Sequence, residues 1–369
     1  MAATQDLRHV AGTMTGTSID GLDAALVAVR GRGLAMQCRV VRHRAFEFPA
    51  DLASRLRSAA EQAPLSAGAF ARLALEFGRF HAECLVTLLA SERADLVVVH
   101  GQTVFHAPPV SWQLVETAPI AERLGTTVVS NLRQVDLAAG GEGAPITPLA
   151  DWVLFRAAHS RAVVNLGGFC NATLLPAGTG PDAVRGFDAC ACNQVLDAVA
   201  RRALHEPYDR DGQAALRGTP DPDLRAELGD LLLAQRAARR SLGTGDELGA
   251  WVERAAARLA PSDTAATAAE AVGLAIGSLL REEGIESDGD ILLAGGGARH
   301  QRVSRAIGEA ARCTVRALDD VGVPIEVREA AEMAVLGALA EDGVDITLPA
   351  VTGRGPTRSR AGSWVRPVH

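Results

Sequence analysis

Apolar residues recur along this chain with two periods. Short extended runs rich in β-branched residues, Asp95–His100, Thr126–Ser130, Ala162–Leu166 and Asp290–Ala294, predict strands. Phe70, Leu73, Phe77, Cys84 and Leu88 fall on one stripe of a helix over Leu65–Glu92. Val195, Leu196, Val199 and Leu204 repeat at the same spacing, and further helices are predicted over Thr264–Glu283 and from about Gln301 to Arg312. Strands alternating with helices imply an α/β protein with largely parallel sheets.

Glycines punctuate this pattern at three places. His9–Val29 reads as strand, Gly/Thr turn, strand, and Ala162–Leu175 repeats that grammar around Gly167 and Gly168. One such hairpin near the start of each half suggests a duplicated architecture. After Leu175 the pattern gives a connection, then Arg185–Asn193 opening into a helix, with Asn193 suited to its N-cap. Asp188 then lies just before a helix start, where free N–H groups favour an anion. It fits either a phosphoryl-transfer carboxylate or a helix-capping residue. The glycine loops 12–21, 167–168 and 295–297 each follow a strand, and ligands in α/β sheets gather at strand ends. The loops match neither a P-loop nor a dinucleotide fingerprint, so they favour a nucleotide held by two hairpins and a glycine turn.

Composition removes several alternatives. The chain has 369 residues and a formal net charge of -7, with no basic block. That fits two domains and argues against nucleic-acid or membrane-surface partners. None of its 37 basic side chains is lysine, which excludes a Walker lysine, a Schiff base and a lysine general base. Six scattered cysteines fit reduced thiols in a cytosolic protein, and no signal peptide or transmembrane run is apparent. Cys190 and Cys192 are too closely spaced for a zinc pair and read as residues lining a tight turn.

The motifs together resemble the anhydro-N-acetylmuramic acid kinase family, of the actin/hexokinase/Hsp70-like ATPases. The likeness runs from about Gly12 to Gly353 in the family's order. Gly12–Asp23 is similar to its first phosphate hairpin, Asn165–Asn171 to the second, and Gly295–Ala298 to its adenosine-side turn. Gly186–Asp188 matches the segment carrying its catalytic aspartate. His100–His106, Ile120–Arg123, Arg133, Asp136, Ala139–Pro145, Glu329–Ala330 and Leu348–Gly353 resemble further landmarks.

The resemblance implies a ribonuclease H-like fold of two α/β domains with an interdomain cleft, expected over residues 1–130 plus 349–369 and 131–348. It implies an ATP-dependent, cytoplasmic, homodimeric kinase that opens the anhydro bridge of its sugar and phosphorylates O6. Asp188 would be the catalytic base. Gly16, Thr17, Ser18, Ile19, Asp20, Gly21, Leu22, Asp23, Asn165, Gly167, Gly168, Gly295, Gly296 and Gly297 would hold ATP, with Mg²⁺ at Asp20. His100, Gln102, Thr103, Arg133, Asp136 and Glu329 would contact sugar.

The chain departs from the family's pattern at four places. Ala189–Cys192 replace Thr-Gly-Pro-Gly, Asn131 replaces an Asp, Asp151 stands where a His is usual, and Arg240–Gly243 match only loosely. The first of these keeps two other readings open, a kinase of the same fold for a different sugar and a muropeptide-sugar sensor without turnover.

Overall fold

The computed structural model describes residues 7–16, 19–237 and 246–368. The chain divides into two compact units, one running to Phe155 and resuming at Gly322, the other Arg156–Val321.

In the first unit, β1 (Leu7–Met14), β2 (Gly21–Arg30) and β3 (Gln37–Glu47) form an antiparallel meander. β4 (Leu96–Val99) joins β1 in parallel. A separate hairpin follows, β5 (Gln102–Ala107) with β6 (Val110–Leu114). β7 (Val128–Ser130) then pairs with β4 in parallel, and the C-terminal strand Ser363–Val365 closes the edge. The helix Ala67–Leu89 starts at Ser66, whose side chain accepts from Ala69 N at 3.2 Å, as an N-cap should. It buries Leu85 and Leu88 against Ala11, Leu26, Val97 and Val99, while Phe77 joins a second cluster with Leu22, Leu56 and Leu114.

The second unit repeats the plan. β8 (Arg161–Leu166), β9 (Phe169–Leu175) and β10 (Arg185–Ala191) form the meander, and β11 (Asp290–Ala294) and β12 (Thr314–Ala317) extend it in parallel from β8. Counted along the chain within each sheet, the first five strands run third-second-first-fourth-fifth in both, and the C-terminal strand adds a sixth to the first sheet. The duplicated α/β architecture read from the two hairpins is therefore present, and it is the ribonuclease H-like plan. The sheets are mixed, with antiparallel and parallel pairs in similar number, where largely parallel sheets were expected. Gly273 and Gly277 let the helix Pro261–Glu282 lie directly on Gln301–Ala311. A Cβ at those positions would stand 2.7 Å from Val303 O and 2.5 Å from Ile307 O.

Residues 131–155 and 322–348, expected with the second domain, pack in the first unit. The helix Arg328–Glu341 lies on β1 and β2, and Thr352 Oγ1 donates to Asp136 Oδ1 at 2.7 Å. Contact across the first unit outweighs the order of motifs along the chain. Thr17, Ser18 and Arg240–Gly243 lie outside the described residues. Among the described residues, no helix is long and apolar enough to cross a membrane.

Gly12 sets how near the helix Arg328–Glu341 comes to the sheet. A Cβ there would stand 2.1 Å from Ala330 O and 2.6 Å from Ala334 N, both backbone atoms that cannot swing aside. We expect Gly12→Ala to destabilise the protein by about 3 kcal/mol, read as a lowered midpoint in urea unfolding.

Candidate active site

Each unit carries part of the predicted set. In the second unit, the β8–β9 turn is bonded to the segment that follows β10. Asn193 N donates to Gly167 O at 3.0 Å, and Cys192 N and Gln194 N donate to Gly168 O at 2.9 and 3.2 Å. The helix Asn193–Val199 thus spends its first N–H groups on the hairpin. The free anion-binding helix start expected beside Asp188 is absent for that reason. Asn193 is the first helical residue, after Cys192, and its Nδ2 donates to Leu166 O at 2.8 Å.

Gly295–Gly297 meet this same turn. Gly295 has φ +79°, and a Cβ on it would stand 2.5 Å from Asn165 Oδ1. A Cβ on Gly297 would stand 2.7 Å from Asn193 Oδ1. Gly168 differs, being exposed with nothing within 4 Å of its Cβ position. Its bare backbone offers close approach to a ligand. Asn165, Gly167, Gly168, Gly295, Gly296 and Gly297 are therefore brought together as the sequence implied.

Asp188 lies within β10, where a connection was expected. Gly186, Ala189 and Ala191 give that strand little of the β-branched signal that marks β8. Register aligns Asn165 of β8 with Asn171 of β9, and Asn171 with Asp188 of β10. The three polar side chains therefore form one rung on one face of the sheet. Asn171 was not singled out from the sequence; the polar residue three positions beyond a Gly-Gly turn is the signal that could have found it. The Asp188 side chain reaches solvent, yet the protein massed around it desolvates the carboxyl and raises its pKa.

A β-bulge follows Asp188, and Ala189, Cys190, Ala191 and Cys192 are all buried. These residues do not line a tight turn beside the ligand face. They face the interior, and burial pushes the Cys190 thiol up to about 12 and holds Cys192 and Cys170 well above the ordinary thiol range. Among the described residues, no group of three or more His, Cys, Asp or Glu is placed to hold a metal ion.

In the first unit, the predicted hairpin residues divide in two. Ile19 (φ +51°) and Leu22 are buried apolar anchors, and Gly21 packs against Phe46, whose carbonyl oxygen would be 2.6 Å from a Cβ. Asp20 is exposed and Asp23 half-buried. Desolvation, with Asp20, Glu329 and Glu326 nearby, pushes the Asp23 carboxyl up to about 7. An acidic patch of this kind, strained by mutual repulsion, suits a divalent cation that keeps most of its waters.

Arg133 is the organised cation of this unit. Nη1 donates to Gly143 O at 2.7 Å, while Nε and Nη2 reach His100 Nε2 at 3.3 and 3.1 Å. Each terminal nitrogen keeps one further N–H. Burial lowers the Arg133 pKa to about 10, opposed by Glu329 and Asp136, so the guanidinium stays charged. Burial and then Arg133 lower His100 to about 3, leaving a neutral ring that accepts from the guanidinium.

Asp136, expected at the sugar, is 2% exposed. Its oxygens accept from Gly143 N at 2.7 Å and from Thr352. It braces the loop that Arg133 also binds. Gln102 is buried, with Thr15 Oγ1 donating to its Oε1 at 3.3 Å, whereas Thr103 is half-buried on β5. Glu329 is half-buried in the first turn of its helix.

Two of the departures have visible consequences. Asn131 adopts φ +56°, which Asn tolerates well. Asp151 is fully buried and pairs with Arg328 Nη2 through both oxygens at 2.8 Å.

A family model described as anhydro-N-acetylmuramic acid kinase matches residues 8–363. A relative of that name from Salinibacter ruber is 37% identical, covering 94% of this chain and 93% of its own. A second, from Gloeobacter violaceus, is 36% identical, covering 93% and 95%. Among solved structures, the (R)-2-hydroxyglutaryl-CoA dehydratase component A of Acidaminococcus fermentans aligns with a TM-score of 0.45 at 13% identity, covering 91% of this chain and 99% of its own.

The raised Asp23 pKa has a stability consequence with a definite sign. The folded state binds a proton that the unfolded chain releases near pH 4, so stability falls as pH rises from about 4 to about 7. We expect Asp23→Asn to stabilise the protein by ~1–2 kcal/mol at pH 8 and to leave it unchanged at pH 3.5, as thermal melts at both values would report.

Proposed function

The chain belongs to the anhydro-N-acetylmuramic acid kinase family, and from that membership we propose its reaction. It transfers a phosphoryl group from ATP to 1,6-anhydro-N-acetylmuramic acid, with hydrolysis of the anhydro bridge, giving N-acetylmuramic acid 6-phosphate. One observation carries the chemistry: Asp188 shares a rung with Asn165 in the same sheet whose glycine turns, Gly167–Gly168 and Gly295–Gly297, pack together.

Asp188 acts as general base. It takes a proton from a water that attacks the anomeric carbon, and its raised pKa makes the carboxylate a stronger acceptor. The C1–O6 bond breaks as the new C1–O bond forms. O6 then attacks the γ-phosphorus, and the β–γ bridging oxygen leaves with ADP. The exposed backbone at Gly168 and the turn at Gly295–Gly297 receive the phosphates without a lysine. Arg133, held by His100 and Gly143, presents its two remaining terminal N–H groups to the sugar's lactyl carboxylate. Asp136 keeps that loop in place.

Asp20, with Asp23 beside it, would hold Mg²⁺. When bound, the cation supplies charge neutralisation at the transferred phosphoryl group. Six unpaired cysteines fit a reducing, cytoplasmic compartment. A homodimer is carried by the family resemblance alone. With Ala189–Cys192 buried, the sequence departure after Asp188 gives no ground for a different sugar or a silent sensor.

The test is phosphosugar formation from Mg-ATP and the anhydro-sugar. We expect Asp188→Asn to lower kcat about 10³-fold while the protein still binds ADP. Absence of the 6-phosphate from wild-type reactions would sink the assignment. Arg133→Lys keeps the charge and loses the fork, so its KM for the sugar should rise about tenfold with kcat little changed. An unchanged KM would remove Arg133 from the sugar.

A further inference from the structure

Among the buried side-chain atoms of the first unit that lack a hydrogen-bond partner within the described residues are Thr13 Oγ1, His81 Nε2, His100 Nδ1 and Gln113 Oε1. Such atoms are costly and uncommon. These four come from elements that meet. Gly12 faces the helix Arg328–Glu341, so Ala11 and Thr13 of β1 face the other side of the sheet. There Ala11 packs with Leu85 and Leu88 of the helix Ala67–Leu89, and His81 is one turn before Leu85 on the same face. The register sets Thr13 beside Val99, and His100 N donates to Thr13 O at 3.2 Å. Gly101 lies against β6, where its Cβ would stand 2.8 Å from Leu114 O and 3.0 Å from the Gln113 carbonyl carbon. Phe77, whose ring meets that of His81 at 4.3 Å, shares a cluster with Leu114.

Donors and acceptors here are fixed from two ends. His81 Nδ1 is 2.9 Å from Phe77 O. A carbonyl only accepts, so that nitrogen carries the ring's proton and Nε2 is a bare acceptor. At the other end the Arg133 guanidinium only donates, so His100 Nε2 is bare and its ring's proton is on Nδ1. Burial lowers His81 to about 4. Burial, then Arg133 and more weakly His81 lower His100 to about 3, so the two rings are within electrostatic range and both are neutral near pH 7. The Gly101 carbonyl favours a proton on the His100 ring yet makes no hydrogen bond to Nδ1. What remains is a matched set. His100 offers an N–H and Thr13 a hydroxyl, while His81 Nε2 and Gln113 Oε1 accept. One water accepts two hydrogen bonds and donates two, which is what this set requires.

We propose that His81 is a positioning residue for the arginine that meets the sugar. Through one enclosed water it holds His100 in the tautomer that accepts from Arg133, and Thr13 and Gln113 complete the water's shell. The hydrogen bonds run in one direction, from Arg133 through His100, the water and His81 to the Phe77 carbonyl. Turning the His100 ring over would set donor against donor at Arg133 and strand an acceptor at the water, so the guanidinium keeps its aim. The inference rests on the reading of Arg133 as the cation that contacts the lactyl carboxylate.

The experiment compares the full chain with three variants. His81→Phe keeps a ring and removes both nitrogens, His81→Gln can return an acceptor near the place of Nε2, and Thr13→Val removes the water's second donor. NMR of isotope-labelled histidine, with the His100 ring assigned by its loss in His100→Gln, should show a neutral Nδ1–H tautomer in wild type. His81→Phe should shift both His100 ring-nitrogen signals and raise the KM for the anhydro-sugar about fivefold, with kcat and ADP affinity little changed. His81→Gln should stay within about twofold of wild type. A wild-type His100 protonated on Nε2 would overturn the proposal, as would His100 signals that do not move in His81→Phe whatever its KM. If His81→Phe does not fold, the same signals in Thr13→Val decide, and unmoved signals there overturn it. A crystal structure should place one water within about 3.2 Å of His100 Nδ1 and His81 Nε2, and protein atoms filling that space would also overturn it. An Arg133→Lys variant with unchanged KM would remove the arginine from the sugar, an outcome that leaves the His100 tautomer where it was and so is told apart from failure of the His81 link.

Discussion

The missing side chain at Gly12 is the constraint on which the first unit depends. The helix Arg328–Glu341 sits so close to β1 that its backbone occupies the space of a Cβ. That approach brings Glu329, in the first turn of the helix, into electrostatic range of Asp23 on β2 and of Arg133. The same device recurs in the second unit, where Gly295 and Gly297 make room for the side chains of Asn165 and Asn193. In both units the polar groups of the candidate site are gathered by backbone proximity, and the proximity comes from glycine.

Proximity of that kind needs a firm support on the other side. Arg328 is buried between Asp151, at 2.8 Å, and Glu332, at 2.6 Å. One guanidinium cannot neutralise two carboxylates, and burial raises the Glu332 pKa well above the ordinary range. Burial thus favours the protonated form of Glu332, which lessens the charge that the cluster must bury. Asp151, in place of the family's usual His, offers both carboxyl oxygens to Arg328 Nη2. A departure in sequence is here a working part of the core.

Legibility from sequence followed the strength of local signals. Val163, Val164 and Leu166 flank Gly167–Gly168 so plainly that the β8–β9 hairpin could be read directly, and the duplication of the two sheets followed from it. β10 was missed because Gly186, Ala189 and Ala191 carry little strand preference; pairing with β9 creates that strand. The register that sets Asn171 beside Asp188 is likewise a tertiary fact. Residues 131–155 and 322–348 were assigned by motif order, while their partners, such as Asp136 with Thr352 and Asp151 with Arg328, lie about two hundred positions apart. Asp136, Ile19 and Leu22 show the limit of motif reading. A motif marks where a site is, and burial decides which of its residues support the site from behind.

The rung from Asn165 through Asn171 to Asp188 works as a ruler. Adjacent strands stand roughly 4.8 Å apart, so its two ends are separated by about 10 Å. Peptide hydrogen bonds keep that length, whichever side chains occupy the marks. Substitution at either end can alter what is held there and leave the span between them intact. A sheet that measures in this way can exchange one cargo for another of equal length without being rebuilt.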